Sequence, residues 1–383
     1  MQVNKPNLFK HSTLTQEQFL KDYWHKKPLL LKEVFTNKQL AFLPNKKELI
    51  DLSCNQDIQS RIVIKNSETD YEVEVGPFVK EDFNELNNFI WNLLVSDIDK
   101  WQPESRQLLN YFDFIRNWVF DDIMISTGSI GGTVGPHTDH YDVFLIQVCG
   151  QRQWQFGHNK IYNPDLLNDV ELKLLDKFEA DENYTLKPGD VLYLPPEVAH
   201  YGIATSDDCI TCSIGMRTPS TSELLTSFVD GLAEKLSEND RFEEPQFHQH
   251  PAIGEITQQD IEKVKKILIE NISINDLSHW FGKYLSSYRN IFHEFNQYNQ
   301  PDDIKDKNNL CLNPFSKACY YTNKGETTLF INGDAYQCSL NLAQLVCNDK
   351  ELTSDNLENL NDNDMTVVKS LFENGAIEKK SVN

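Results

Sequence analysis

The feature that most constrains the fold is a pair of potential ligands, His137 and Asp139, placed directly before an apolar run. The run, DVFLIQVC, is rich in β-branched and aromatic residues, as is typical of a buried strand. Residues two apart in a strand project from the same face, so these two side chains can hold one ion together. A third candidate, His200, follows 63 residues after His137, at the end of PGDVLYLPPEVAH, in which residues 191–194 predict a short strand.

Two neutral imidazoles and one carboxylate on one side of an ion form the facial triad of non-haem Fe(II) oxygenases. This arrangement leaves open positions for a co-substrate and O2, whereas structural zinc usually closes its coordination with thiolates or more histidines. An alternative is that His137 and Asp139 only cap a loop, because H-x-D tripeptides are common by chance. The surrounding sequence favours the metal site.

That surrounding sequence is cupin-like on both sides. Gly131, followed after five residues by His137, approximates the first cupin motif, and Gly189 with His200 approximates the second. Glu197 stands where many cupins have glycine, and no asparagine follows His200 at the usual offset, so the second motif is incomplete. Both halves fit a double-stranded β-helix, a jelly-roll barrel with its metal inside the mouth.

The pattern along the chain predicts three regions. Residues 1–219 combine helical segments such as TQEQFLKDYW with short strands punctuated by glycine and proline, which indicates an α+β region with a β core. Residues 220–300 are predicted to be helical, with capping-box spacing between Ser220 and Glu223. Residues 301–383 open with the polar linker PDDIKDKNN and alternate probable strands and helices, as in a small winged-helix-like domain.

Charge and cysteine usage narrow the class of protein. Aspartate and glutamate total 58 against 36 lysine and arginine, a net charge of −22, which argues against direct nucleic-acid binding and favours a basic protein partner. Residues 301–383 carry 13 acidic against 8 basic residues, a balance of −5, where a DNA-binding winged helix would show a basic stripe. No signal peptide or membrane segment is indicated, and eight scattered cysteines suggest a reduced, cytoplasmic protein.

Four separated stretches resemble the JmjC-type ribosomal oxygenases of bacteria: FLKDYWHKKPLLLK, GPHTDHYDVFLIQVCGQRQW, PGDVLYLPPEVAHYG and CSIGMRTPS. The resemblance implies a dioxygenase that uses Fe(II), 2-oxoglutarate and O2 to hydroxylate the β-carbon of an arginine in a large-subunit ribosomal protein. It also implies that the helical region forms a homodimer and that a winged-helix domain follows. By this resemblance the iron ligands, and the centre of catalysis, are His137, Asp139 and His200.

Three further residues are candidates for binding 2-oxoglutarate. Gly150 and Gln151 can form a type II′ turn, so that Arg152 starts the returning strand and can reach the barrel interior. A guanidinium there can bind the distal carboxylate of 2-oxoglutarate bidentately, as at the matching family position, although a surface arginine is the alternative. Ser126 is expected to contact the same carboxylate or to be an ordinary strand serine. Thr211 stands where the family often has asparagine, which leaves its contact open.

Other candidates are weaker or unresolved. Strand alternation turns His140 away from the face that His137 and Asp139 share, so we do not expect it to be a ligand. Carboxylates near the barrel mouth are candidates to pair with a target guanidinium: Asp121, Asp122 and Asp142. The alternatives to arginine hydroxylation are the same chemistry on a histidine, a small molecule or a methylated lysine, and a catalytically silent, ligand-binding cupin.

Overall fold

The computed structural model divides the chain into two compact units, Met1–Thr218 and Pro219–Asn383, which we describe separately. The structure describes the following residues: 6–168, 170–237, 239, 241–244, 252–270, 272–287 and 309–380.

The first unit is built on two antiparallel sheets. Its strands are β1 (Leu29–Leu31), β2 (Ser60–Lys65), β3 (Tyr71–Val75), β4 (Ile90–Val95), β5 (Phe120–Gly128), β6 (Asp142–Cys149), β7 (Arg152–Lys160), β8 (Glu182–Leu186), β9 (Val191–Leu194), β10 (Val198–Ala204) and β11 (Ile210–Met216). The larger sheet has the order β1-β9-β6-β11-β5-β4-β2-β3, and the smaller has the order β10-β7-β8. Every neighbouring pair is antiparallel, so this unit has the two-sheet jelly-roll arrangement that the motifs predict.

Strand β6 is buried on both faces, which explains why its sequence is apolar at nearly every position. Val143 and Leu145 face the smaller sheet and join a core cluster with Trp154 of β7. Phe144 and Ile146 face the opposite side and join the largest core cluster of the unit. A strand buried on both faces reads as a continuous apolar run rather than an alternating one.

Helices and aromatic side chains cover the outer face of the larger sheet. The helices of this unit are α1 (Gln16–Asp22), α2 (Asn37–Leu40), α3 (Lys46–Ser53), α4 (Asp82–Glu85) and α5 (Ile98–Trp101), with 3-10 turns at Leu86–Asn88, Pro103–Phe112 and Asn117–Val119. Thr15 and Gln18 form a capping box at the start of α1. Phe19 of α1 is fully buried, with its ring 5.7 Å from that of Phe144 and 4.9 Å from that of Tyr193. The FLKDYWHKKP stretch therefore packs an N-terminal helix on the outer face of the larger sheet.

The second unit contains helices followed by small sheets. Its elements are α6 (Thr221–Ala233), α7 (Gln258–Glu270), α8 (Ile274–Ser286), β12 (Leu310–Leu312), β13 (Ala318–Asn323), β14 (Glu326–Ile331), β15 (Asp334–Cys338), α9 (Leu340–Gln344), a π-helical turn at Leu345–Asp349, β16 (Glu351–Leu352), α10 (Ser354–Glu358), α11 (Asp362–Glu373) and β17 (Ile377–Lys379). The predicted capping box of Ser220 and Glu223 is present at the start of α6. Phe228 of α6 packs on Trp280 of α8 with ring centroids 5.0 Å apart, and α8 in turn packs on β13 and β14.

The predicted division of this unit at residue 300 stays a prediction, because most of the linker PDDIKDKNN lies outside the described residues. No helix in the described part of the chain is both long enough and apolar enough to cross a lipid bilayer.

Candidate metal and co-substrate site

Two residues that are remote in sequence, His137 and His200, are joined by a β-bridge. The N–H of His137 donates to the carbonyl of His200 at 3.0 Å, and the N–H of His200 donates to the carbonyl of His137 at 2.9 Å. Their imidazole rings lie with centroids 4.2 Å apart. The fold thus brings the segment that precedes β6 against β10 at one point, as the cupin motifs require.

Asp139 completes a group of three potential ligands. Its Oδ2 lies 3.5 Å from Nε2 of His200 and 3.9 Å from Nε2 of His137. One ligand atom from each residue falls within 4.8 Å of the other two, and within the described ranges this is the cluster of His, Cys, Asp or Glu that can hold a metal ion. Two donors bound at about 2.1 Å from one ion lie at most about 4.2 Å apart, so the two measured separations fit a shared ion.

Hydrogen bonds select the tautomer of each imidazole. Nδ1 of His137 lies 2.9 Å from the carbonyl oxygen of Gly135, and Nδ1 of His200 lies 3.0 Å from that of Val198. A carbonyl only accepts, so Nδ1 carries the proton in both rings and the Nε2 lone pairs are available beside Asp139. Burial, followed by the proximity of His137, lowers the pKa of His200 to about 4, which leaves that ring neutral at pH 7, the form that binds metal.

His140 lies outside this group. Its ring is 77% exposed, and its Nδ1 is 2.7 Å from a carboxylate oxygen of Glu197.

Arg152 begins β7, immediately after a turn at Gly150 and Gln151. The prediction of a hairpin is wrong, because this turn connects β6 of the larger sheet with β7 of the smaller sheet, and the two strands do not pair. Gly150 has a φ of +60°, a backbone conformation that glycine adopts more readily than other residues. The side chain of Arg152 points between the two sheets, on the same face of β7 as Trp154, and the residue is only 3% exposed. The sequence-based expectation that Arg152 reaches the interior therefore agrees with its position.

The charge of Arg152 has no counter-ion in the described part of the chain. Its Nη2 donates to Oδ1 of Asn92 at 2.9 Å, while its Nε has no hydrogen-bond partner there. Nδ2 of Asn92 is likewise buried without a partner among these residues. A buried guanidinium without a carboxylate is costly, so this arrangement fits the binding of an anion.

A chain of aromatic contacts links this guanidinium to the metal group. The guanidinium carbon of Arg152 lies 5.9 Å from the ring centroid of Trp154, and that ring lies 5.9 Å from the ring of His200. The guanidinium of Arg152 and the proposed metal ligands therefore lie in the same interior, with the Trp154 ring between Arg152 and His200.

Asn92 was not predicted from the sequence. Asn92 is the single polar residue in the apolar strand sequence IWNLLV, which could have drawn attention to it, but this pattern does not predict that its partner is Arg152.

Ser126 and Thr211 lie directly opposite each other on β5 and β11 and are both buried. They share the inner face of the larger sheet, because Ser126 also pairs with Leu94, on the same face of β4 as Asn92. The hydroxyl of Thr211 donates to Oε1 of Gln147 at 3.1 Å, so Gln147 is a further polar residue of this interior that the sequence did not reveal.

The three mouth carboxylates differ in their surroundings. Asp142 is buried and bound by the hydroxyl of Tyr193 and, at 2.6 Å, by Nδ1 of His25, so it is not available to a substrate. Burial, then the charge of Asp121, raises the pKa of Asp122 to about 7. The charge of Asp139, then burial, then the charges of Asp122 and Asp121 raise the pKa of Tyr141.

Known proteins with similar sequences include ribosomal oxygenases. A family profile of the JmjC domain matches residues 107–224. A probable ribosomal oxygenase of Haemophilus influenzae is 35% identical over 269 residues, which cover 68% of this chain and 65% of the relative. The ribosomal protein uL16 3-hydroxylase of Escherichia coli is 33% identical over 303 residues, which cover 77% of this chain and 78% of the relative. The chain belongs to the JmjC ribosomal oxygenase family.

Solved structures of family members have the same fold. The crystal structure of E. coli YcfD superposes with a TM-score of 0.84 at 27% identity and covers 96% of this chain and 99% of that one. A structure of YcfD, a ribosomal oxygenase, in complex with cobalt and 2-oxoglutarate superposes with a TM-score of 0.81. Enzymes of the JmjC ribosomal oxygenase family use Fe(II) and 2-oxoglutarate, so the expected fold, enzyme class and co-substrate are confirmed with the family.

Proposed function

We propose that this chain hydroxylates the β-carbon of an arginine side chain in a protein of the large ribosomal subunit. The proposed metal ligands are His137, Asp139 and His200, and Arg152 is the proposed anchor of 2-oxoglutarate. One observation carries the proposal. The Asp139 carboxylate and the Nε2 atoms of His137 and His200 lie in the same barrel interior as the buried guanidinium of Arg152, which has no counter-ion among the described residues.

The donor set suits Fe(II). Two neutral imidazoles and one carboxylate occupy one side of the ion and leave the other side for a chelating co-substrate and O2. When bound, the iron with 2-oxoglutarate and O2 supplies the oxidation that inserts one oxygen atom into a C–H bond and converts 2-oxoglutarate into succinate and CO2. The chain itself supplies the ligand geometry and a largely closed interior, in which His200 is 3% exposed.

The residues around Arg152 fit a dicarboxylate. The guanidinium can donate two parallel hydrogen bonds to the distal carboxylate, and the orphaned Nδ2 of Asn92 can donate a third. Ser126 can add its hydroxyl from the opposite sheet, and Thr211, held by Gln147, forms part of the same wall. Binding a carboxylate here satisfies polar atoms that are otherwise buried without partners.

Acidic groups at the mouth support a basic target. The charges of Asp122 and Asp121 act on Tyr141, which lies two residues after Asp139, and a carboxylate at the mouth can pair with a guanidinium and position the carbon to be oxidised. The E. coli relative is named a uL16 3-hydroxylase, and position 3 of an amino acid is its β-carbon. A net charge of −22 should also speed the encounter with a basic ribosomal protein.

A homodimer and a cytoplasmic location belong to the same proposal. Leu225 and Val229 on α6 are 61% and 56% exposed and one helical turn apart, and exposed apolar residues continue on α7. An apolar stripe of this kind suits a second copy of the chain. Ribosomal proteins are made and assembled in the cytoplasm, and the acidic surface favours a protein partner over direct contact with nucleic acid.

The test is to incubate the protein with Fe(II), 2-oxoglutarate, O2 and unmodified large-subunit ribosomal proteins, followed by tandem mass spectrometry. We expect one added oxygen on a single arginine, absent with His137→Ala. An added oxygen on a histidine, or release of formaldehyde from a methylated lysine, would support oxygenase activity but show that the target is not an arginine. No succinate with any basic substrate would favour a silent cupin.

A further inference from the structure

Glu197 has a backbone conformation that normally belongs to glycine. Its φ is +67°, in the left-handed region, and it occupies the position where the cupin pattern has glycine. A residue with a Cβ is strained there, whereas glycine adopts this conformation without cost. Strain retained beside a functional site suggests that the side chain performs a task glycine cannot.

The contacts of Glu197 join the two segments that carry the proposed metal ligands. Its backbone N–H donates to the carbonyl of Asp139 at 2.7 Å, and its carbonyl accepts from the N–H of Ile161, also at 2.7 Å. Its carboxylate lies 2.7 Å from Nδ1 of His140, the residue after Asp139. The side chain of Glu197 is only 18% exposed, so this bond is partly shielded from water.

Asp139 needs such support because regular β-pairing does not hold it. The chain leaves the bridge at His137 and enters β6 only at Asp142, and the residues between them have no strand assignment. The backbone bond from Glu197 holds the carbonyl of Asp139, while the bond to His140 holds the next side chain. Together they tie the ligand-bearing segment to the turn that leads into His200.

We propose that Glu197 and His140 form a positioning pair that presets the Asp139 carboxylate for the metal ion. This inference rests on the ligand set of the proposed function. A preset ligand loses less conformational freedom when the ion binds, so the pair should strengthen binding without touching the ion. Residues that orient metal ligands through hydrogen bonds, without contacting the ion themselves, typically increase the affinity for the metal by 10- to 100-fold. Because His140 is largely exposed, we expect about tenfold here.

The experiment measures Co(II) affinity from the d–d absorption of the bound ion, with no protein substrate present. Glu197→Gly keeps the backbone conformation and the N–H bond to Asp139 but removes the carboxylate. Glu197→Gln keeps an oxygen that can accept from His140. A matched control is His158→Ala, because His158 and Glu182 form another exposed histidine–glutamate pair, 3.3 Å apart, in the smaller sheet.

We expect the dissociation constant for Co(II) to rise about tenfold in Glu197→Gly and in His140→Ala. Glu197→Gln should retain most of the wild-type affinity, and His158→Ala all of it. The Tm of the metal-free Glu197→Gly protein should equal or exceed that of wild type, because glycine relieves the strain. That outcome separates positioning of the ligand from general support of the fold.

Wild-type Co(II) affinity in Glu197→Gly would overturn the positioning role while leaving the hydroxylase proposal intact. A fall in the metal-free Tm that accompanies the weaker binding would also overturn it, as would Glu197→Gln binding as weakly as Glu197→Gly. If the wild-type chain fails to bind Co(II), both proposals fall, since no metal site remains to be positioned.

Discussion

Replacing Arg152 by methionine tests the co-substrate site most directly, because the side chain is buried and has no counter-ion in the described structure. Methionine has a similar length and preserves packing against Trp154 but cannot bind a carboxylate. Hydrogen bonds to charged groups contribute about 1.5–3 kcal/mol each, so loss of a bidentate pair should cost about 2–4 kcal/mol once partial compensation is allowed for. The KM for 2-oxoglutarate should therefore rise about 30- to 1,000-fold.

Two measurements separate this effect from unfolding. Succinate formation at increasing 2-oxoglutarate gives KM, and thermal unfolding without metal or co-substrate gives stability. Removing a buried charge without a counter-ion should leave the unliganded Arg152→Met protein at least as stable as wild type. A KM within threefold of wild type would refute the assignment of Arg152 as the anchor. A strongly destabilised unliganded variant would refute the argument from the missing counter-ion.

Three further predictions follow from the same structure. The KM for the ribosomal protein should fall as pH rises through about 7, because Asp122 pairs with a guanidinium only when it is ionised and its pKa is raised to about 7. Asp122→Asn should flatten this pH profile, and an unchanged slope would exclude Asp122 as the group that binds the substrate. Gly202→Ala should destabilise the protein by about 1–3 kcal/mol in chemical denaturation, because the added Cβ would lie 2.6 Å from the ring of Trp154. Gly157→Ala on β7 is the control and should change the free energy of unfolding little, because its Cβ would have its nearest neighbour at 3.6 Å. Leu225→Asp should shift the protein to monomer in light scattering, and a retained dimer would remove α6 from the interface.

Local patterns were predictable where the physics is local. His137 and Asp139 were predicted to lie close together and they do, although the segment from residue 138 to 141 is not a strand. A turn between two strands at Gly150 was also predicted, and Gly150 has a positive φ, but the two strands belong to different sheets. The capping box of Ser220 and Glu223 follows from their spacing of three residues. Each of these depends on neighbours a few residues away, which is the range that sequence periodicity reports.

Partners of buried polar groups were not predictable, because strand register decides them. Asn92 meets Arg152 across 60 positions, and only the packing of two sheets brings them together. Asp142 appeared to be one of three equivalent mouth carboxylates, yet it faces the opposite side of β6 and is bound by Tyr193 and His25. A one-residue change of register turns a side chain to the other face, so composition near a site does not show which groups enter it.

The sequence alone determined the kind of chemistry this chain supports: the residue types and spacing of His137, Asp139 and His200 indicate a metal-dependent oxygenase, and separated motifs indicate its family. Only the tertiary structure decided which atoms face one another. It paired the two imidazoles across a bridge, left the guanidinium of Arg152 without a counter-ion among the described residues, and brought Glu197 to His140. The reason is physical: ligand identity is a property of single residues, whereas orientation and burial arise from contacts between strands distant in the chain.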